Sequence, residues 1–150
     1  MNITHWPATI DLLCTRDFPP EHGRTDVGTG GPGYHIAELQ TSGDFWEDGG
    51  TERQETEAQY EIDRDGLGER LVERWGAPQV ISLAGAFERS QGGEDIPEPW
   101  ASLSAHVPDV HLWKSLETGR WIALGVSQWD KELPFQLLAV ITEMDPAVRI

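Results

Sequence analysis

Residues Trp121 to Ile141 read WIALGVSQWDKELPFQLLAVI, two apolar runs split by the polar stretch Gln128 to Phe135. Each run has the length of a strand, and Trp129 to Leu133 is short enough to reverse the chain between them. Working outward, Arg120 to Gln128 reads as one strand and Pro134 to Glu143 as the next, with the proline at the position where a missing N–H does least damage. Upstream, Val110 to Leu116 forms a third strand, joined through the turn Glu117-Thr118-Gly119. Such short connections favour an antiparallel meander. The second and third strands are apolar on both faces, so they are expected at the centre of a sheet, with helix over at least one side.

That helix is expected from about 51 to 75. Tyr60, Leu67, Leu71 and Trp75 recur at the spacing of one helical stripe, Thr51 is the expected N-cap, and Gly76 with Pro78 marks the stop. Gly66 and Gly68 each weaken the helix by about 1 kcal/mol relative to alanine, which leaves room for a break there. The remainder is less regular. Residues 3–18 fit a helix begun at Pro7 or a strand. Residues 19–33, rich in glycine and proline, read as loop. Tyr34 to Gln40 and Gln79 to Ala84 read as strands, 43–50 and 92–99 as loops, and 85–90 and 100–106 as short helical turns. The expected class is α+β: a C-terminal antiparallel β-meander packed against one main helix, in a single domain spanning 1–150.

A chain of 150 residues with 38% hydrophobic content and seven tryptophans can build a real core. No stretch approaches the roughly 20 apolar residues of a membrane span, and Met1 to Pro7 lacks the layout of a signal peptide, so a soluble cytoplasmic protein is expected. Cys14 is the only cysteine, which excludes an internal disulfide and a cysteine-rich zinc site. The nine arginines against two lysines are a bias common in GC-rich bacterial genes. The formal net charge of −15 disfavours direct contact with nucleic acid or an anionic membrane. It favours a basic protein partner, and it also serves solubility.

Motifs for chemistry are missing. Gly28 to Gly33 does not have the spacing of a phosphate loop, no lysine follows, and a strand comes next. The five histidines form no close ligand pair, so neither metal nor cofactor is expected. Cys14 lies in an apolar run as a small hydrophobe, and no serine sits in a nucleophile elbow, so no catalytic residue is assigned. His35 and Glu38, three apart on a strand, should face opposite sides.

Two stretches do suggest binding. From Asp44 to Arg74 the chain carries eleven acids against four arginines, Arg53, Arg64, Arg70 and Arg74, and Trp46 lies among Asp44, Glu47 and Asp48. Trp129 lies beside Asp130, Lys131 and Glu132, where turn chemistry explains the charges but not the large aromatic. An aromatic anchor with a polar rim is a common form of recognition site. The expected partner-binding residues are therefore Asp44, Trp46, Glu47, Asp48, Trp129, Asp130 and Glu132. The composition resembles in kind the immunity proteins and antitoxins with which bacteria block basic toxin domains, and that resemblance implies a non-enzymatic protein that neutralises a basic partner. The alternative is a small-molecule enzyme or ligand-binding domain with a pocket involving His35, Glu38 and His111.

Overall fold

The computed structural model describes residues 5–47 and 50–146. Its centre is a seven-stranded sheet in which every neighbouring pair is antiparallel, ordered β1-β2-β3-β7-β6-β5-β4. The chain enters through helix α1 (Trp6–Thr15) and then builds β1 (Gly23–Arg24), β2 (Gly28–Gly31) and β3 (Tyr34–Thr41). Helix α2 (Thr51–Trp75) carries it to the far edge, where β4 (Gln79–Ser82) begins. After α3 (Ala84–Gln91) and α4 (Trp100–Ser104), the strands β5 (Asp109–Lys114), β6 (Trp121–Ser127) and β7 (Gln136–Thr142) return one by one until β7 pairs with β3.

The expected meander is thus present, with the long helix packed on its strands. Alternation along β6 and β7 explains why both faces are covered. Ile122, Leu124, Leu137, Ala139 and Ile141 point to one side, into a core with Tyr60, Leu67 and Leu71 of α2 and Ile10 and Leu13 of α1. Ala123, Leu138 and Val140 point to the other, under Leu83, Ala86, Trp100, Leu103 and Val107. Full burial of a leucine or isoleucine side chain contributes about 1.5–3 kcal/mol, so these paired layers hold the sheet between its two helical covers. Trp75, the last member of the expected stripe, is partly buried against the same core. Buried tryptophans also find acceptors: Trp113 Nε1 donates to Gly76 O at 2.8 Å at the end of α2, and Trp100 Nε1 to Met144 O at 3.0 Å.

Several local expectations change. Residues 3–18 resolve to helix over Trp6–Thr15 because Trp6, Ile10, Leu13 and Cys14 bury one face at helical spacing. The stretch 19–33 is not all loop, since β1 and β2 extend the sheet beyond β3. Glycine makes the packing there possible: a Cβ on Gly31 would stand 2.7 Å from His22 Nδ1. Thr51 is the first helical residue and Gly50 the N-cap, with no side-chain cap bond. The helix runs unbroken through Gly66 and Gly68. Pro134 precedes β7, which starts at Gln136.

Two glycine substitutions separate packing from propensity. A Cβ on Gly125 of β6 would lie 2.7 Å from Val107 Cγ1, whereas one on Gly66 meets nothing within 4 Å. Gly125→Ala should lower stability by about 1–3 kcal/mol through overpacking. Gly66→Ala should raise it by up to about 1 kcal/mol through helix propensity. Urea denaturation of the two variants checks both signs.

Candidate binding surface and adjoining cleft

The reversal between β6 and β7 is held from both faces of the sheet. Gln128 stands at its start: its N–H donates to His106 O at 3.0 Å, and its side-chain Nε2 donates to Leu133 O at 2.9 Å. Its Oε1 accepts from Arg53 of α2, from Nε at 3.1 Å and from Nη2 at 2.8 Å. Within the loop, Leu133 N–H donates to Asp130 O at 2.9 Å, which leaves Asp130 and Lys131 exposed at the tip. Glu132 is half-buried. Trp129 stacks on His106, with ring centroids 3.8 Å apart and planes 19° apart, yet remains 59% exposed. It therefore packs and projects at once.

The loop after β3 meets this reversal. Ser42 N–H donates to Phe135 O and Phe135 N–H to Ser42 Oγ, both at 2.9 Å. Phe45 N–H donates to Glu132 O at 2.9 Å, and the buried Phe45 and Phe135 rings meet edge to face at 5.7 Å. These bonds follow from the register Thr41↔Gln136, which sets the end of β3 beside the start of β7. Two stretches chosen separately in the sequence, Asp44 to Glu47 and Trp129 to Glu132, consequently adjoin at one end of the sheet. Trp46 is 64% exposed and lines a shallow depression of about 560 Å³ with Asp44, Glu47 and Glu52. Asp48, the remaining expected binding residue, lies outside the described residues.

His35, Glu38 and His111 do not share a site. His35 is buried on the α1 side of β3, where its Nε2 lies 3.3 Å from Arg16 O and its ring 5.0 Å from Phe18. Glu38 lies on the opposite face, paired with Arg24. His111 is further across the sheet, in β5, and alternates with Val110 and Leu112 of the other core. Burial lowers the pKa of both histidines. Among the described residues no cluster of three or more His, Cys, Asp or Glu is arranged to hold a metal ion, and no helix is long and apolar enough to cross a membrane.

The sequence reading missed a cleft on the α4 side of the sheet. Ile36, Glu38 and Leu138 form its floor, and Glu98, His106 and Trp129 belong to its wall. His106 is the residue that ties this wall together, because its Nδ1 hydrogen-bonds Ser127 Oγ at 2.5 Å while its ring carries Trp129. The only sequence signal was its position just before Pro108. The chain matches no protein-family model, and neither a curated protein nor a solved structure is significantly similar to it.

Burial pushes the His106 pKa from the ordinary 6.5 down to about 4. Between those values the unfolded chain holds a proton that the folded chain refuses, so this residue makes stability fall as pH drops through the window. Below about 4 its contribution stops changing. His106→Gln should flatten the pH dependence of the urea midpoint across that window relative to the unmodified protein, with the carboxylates common to both.

Proposed function

We propose that this protein is a non-enzymatic binding protein that docks a basic protein partner, in the manner of an immunity protein or antitoxin, through the end of the sheet formed by Asp44 to Glu47 and Trp129 to Glu132. The observation that carries the reading is the junction of the two loops. The Phe45 N–H to Glu132 O bond and the Phe45–Phe135 contact bring together two loops, each of which carries an exposed tryptophan and acidic neighbours. Large exposed aromatics supply contact area, and surrounding carboxylates steer a partner of opposite charge. The net charge of −15 acts in the same direction at long range. The two loops are hydrogen-bonded to each other, and the reversal also to Arg53 of α2, which lowers the ordering cost of binding.

The test is to screen the products of neighbouring genes for a basic protein that binds this chain, and to follow its association by stopped-flow fluorescence. Association should slow markedly as salt rises to physiological strength, where the Debye length is about 8 Å. Trp46→Ala and Trp129→Ala should each weaken binding by about 2–4 kcal/mol, while Asp130→Ala and Glu132→Ala act mainly on the association rate. A rate indifferent to salt, together with unchanged affinity in both tryptophan variants, would overturn the reading.

A further inference from the structure

Helices α3 and α4 pack over β5, β6 and part of β7, and at β3 the cover thins, leaving Ile36 only partly buried. The uncovered floor becomes a cleft of about 510 Å³ between α4 and the β1–β2 hairpin. Small organic ligands bind in pockets of about 300–1,000 Å³, so the volume is suitable. Its long direction follows β3, because Tyr34, Ile36, Glu38 and Thr41 all line it. Tyr34 and Glu98 mark one end, where burial above all, and the nearby Glu98 charge after it, raise the Tyr34 pKa. Thr41 and Trp129 mark the other.

The charges along this cleft are unbalanced. Among the described residues Arg24 is its only lysine or arginine, and both of its terminal nitrogens engage Glu38, at 2.5 and 3.3 Å. That pair neutralises itself. Glu98 is left over: its carboxylate accepts the Ser102 N–H at 3.3 Å and forms no ion pair among the described residues. His106 does not restore the balance at neutral pH, because burial keeps its imidazole uncharged. At the far end, the His106 stack fixes the plane of an indole that still exposes 59% of its surface. Between the two ends, Ile36 and Leu138 offer an apolar floor.

We infer that the cleft is a binding site for a small, elongated organic cation, with its amine or guanidinium at Glu98 and its aromatic or aliphatic body lying along Ile36 and Leu138 towards Trp129. An ionised carboxylate that lines a cleft favours a cationic donor over a neutral one, and an indole face favours a flat or alkylated body. An anionic ligand would meet Glu98 with no unpaired lysine or arginine among the described lining residues to offset it. This site lies beside the proposed docking surface and needs no protein partner to be tested.

The experiment uses three probes of one shape: 4-phenylbutylamine, the neutral 4-phenylbutanol and the anionic 4-phenylbutyrate. Each is titrated into the isotopically labelled full chain and followed by NMR, with the Trp129 indole signal assigned from its loss in Trp129→Phe. The amine should shift that signal saturably with a Kd of about 0.1–1 mM, the range ligand efficiency allows for a molecule of this size. The alcohol and the acid should bind at least about tenfold more weakly, the scale of one charge-assisted contact. Glu98→Gln should abolish the preference of amine over alcohol, while Glu73→Gln, exposed on α2 and outside the cleft, leaves it intact. The ranking on the unmodified protein stands even if Glu98→Gln fails to fold. Equal binding of all three probes overturns the inference, as does an unmoved Trp129 signal at about 10 mM amine, ten times the upper expected Kd. Retention of the amine preference in folded Glu98→Gln overturns it too.

Discussion

The pairing of β3 with β7 is the constraint on which the rest of the structure depends. Each half of the sheet is locally simple: β1 to β3 at one edge, and β4 to β7 returning from the other. Only the ladder from Tyr34↔Thr142 to Thr41↔Gln136 joins them. It links residues about a hundred positions apart, so its loop-closure cost is large and must be offset by burial on both faces. Ala37, Ala139 and Ile141 lie under α1 and α2, while Leu138 and Val140 lie under α4 and its flanking loops. The same ladder decides what stands next to what. It sets Ser42 beside Phe135, and from that follow the Phe45–Glu132 bond and the junction of the two acidic loops.

How much of this was legible depended on whether the signal was local. The stretch WIALGVS…QLLAVI announced two buried strands because its apolar residues run without a polar face, and a strand covered on both sides needs such a run. Tyr60, Leu67 and Leu71 announced α2 by their period. The strands β1 and β2 were hidden. They consist largely of glycine, which has no side chain to show alternation, and what holds them is the ladder that sets Thr29, Gly30 and Gly31 opposite Ile36, His35 and Tyr34 of β3. The continuity of α2 through Gly66 and Gly68 was equally hidden, since Gly68 is buried on the core face of the helix and tertiary packing there outweighs intrinsic propensity.

The candidate surface divides along the same line. Trp46 and Trp129 could be singled out because a large aromatic among charges is conspicuous in any sequence. That their loops adjoin could not, because it rests on the β3–β7 register. The cleft was least legible of all. Arg24, Glu38, Glu98 and His106 come from separate segments, and none carries a spacing that marks chemistry. His35, Glu38 and His111 do not converge: strand alternation, already legible in the sequence, puts Glu38 on the face away from His35, and β7 and β6 stand between β3 and β5.

Why a tryptophan interrupts the two most buried strands now has a physical answer in two parts. Beyond Ser127 the sheet ends, but α4 and its following turn do not, so His106 overhangs the reversal and needs a flat partner on its outer face. The indole of Trp129 supplies it, and the neutral imidazole beneath is sheltered in return. A smaller residue would leave His106 open to water and weaken the burial that keeps it uncharged. Packing on one ring face does not consume the other, however, and the charges that follow at Asp130 and Lys131 are exposed at the tip. The outer part of the indole is therefore held rigid, exposed and flanked by polar groups, at the point where the acidic surface meets the cleft. The structural role and the proposed recognition role are compatible in this residue because the His106 stack occupies only one face of the ring.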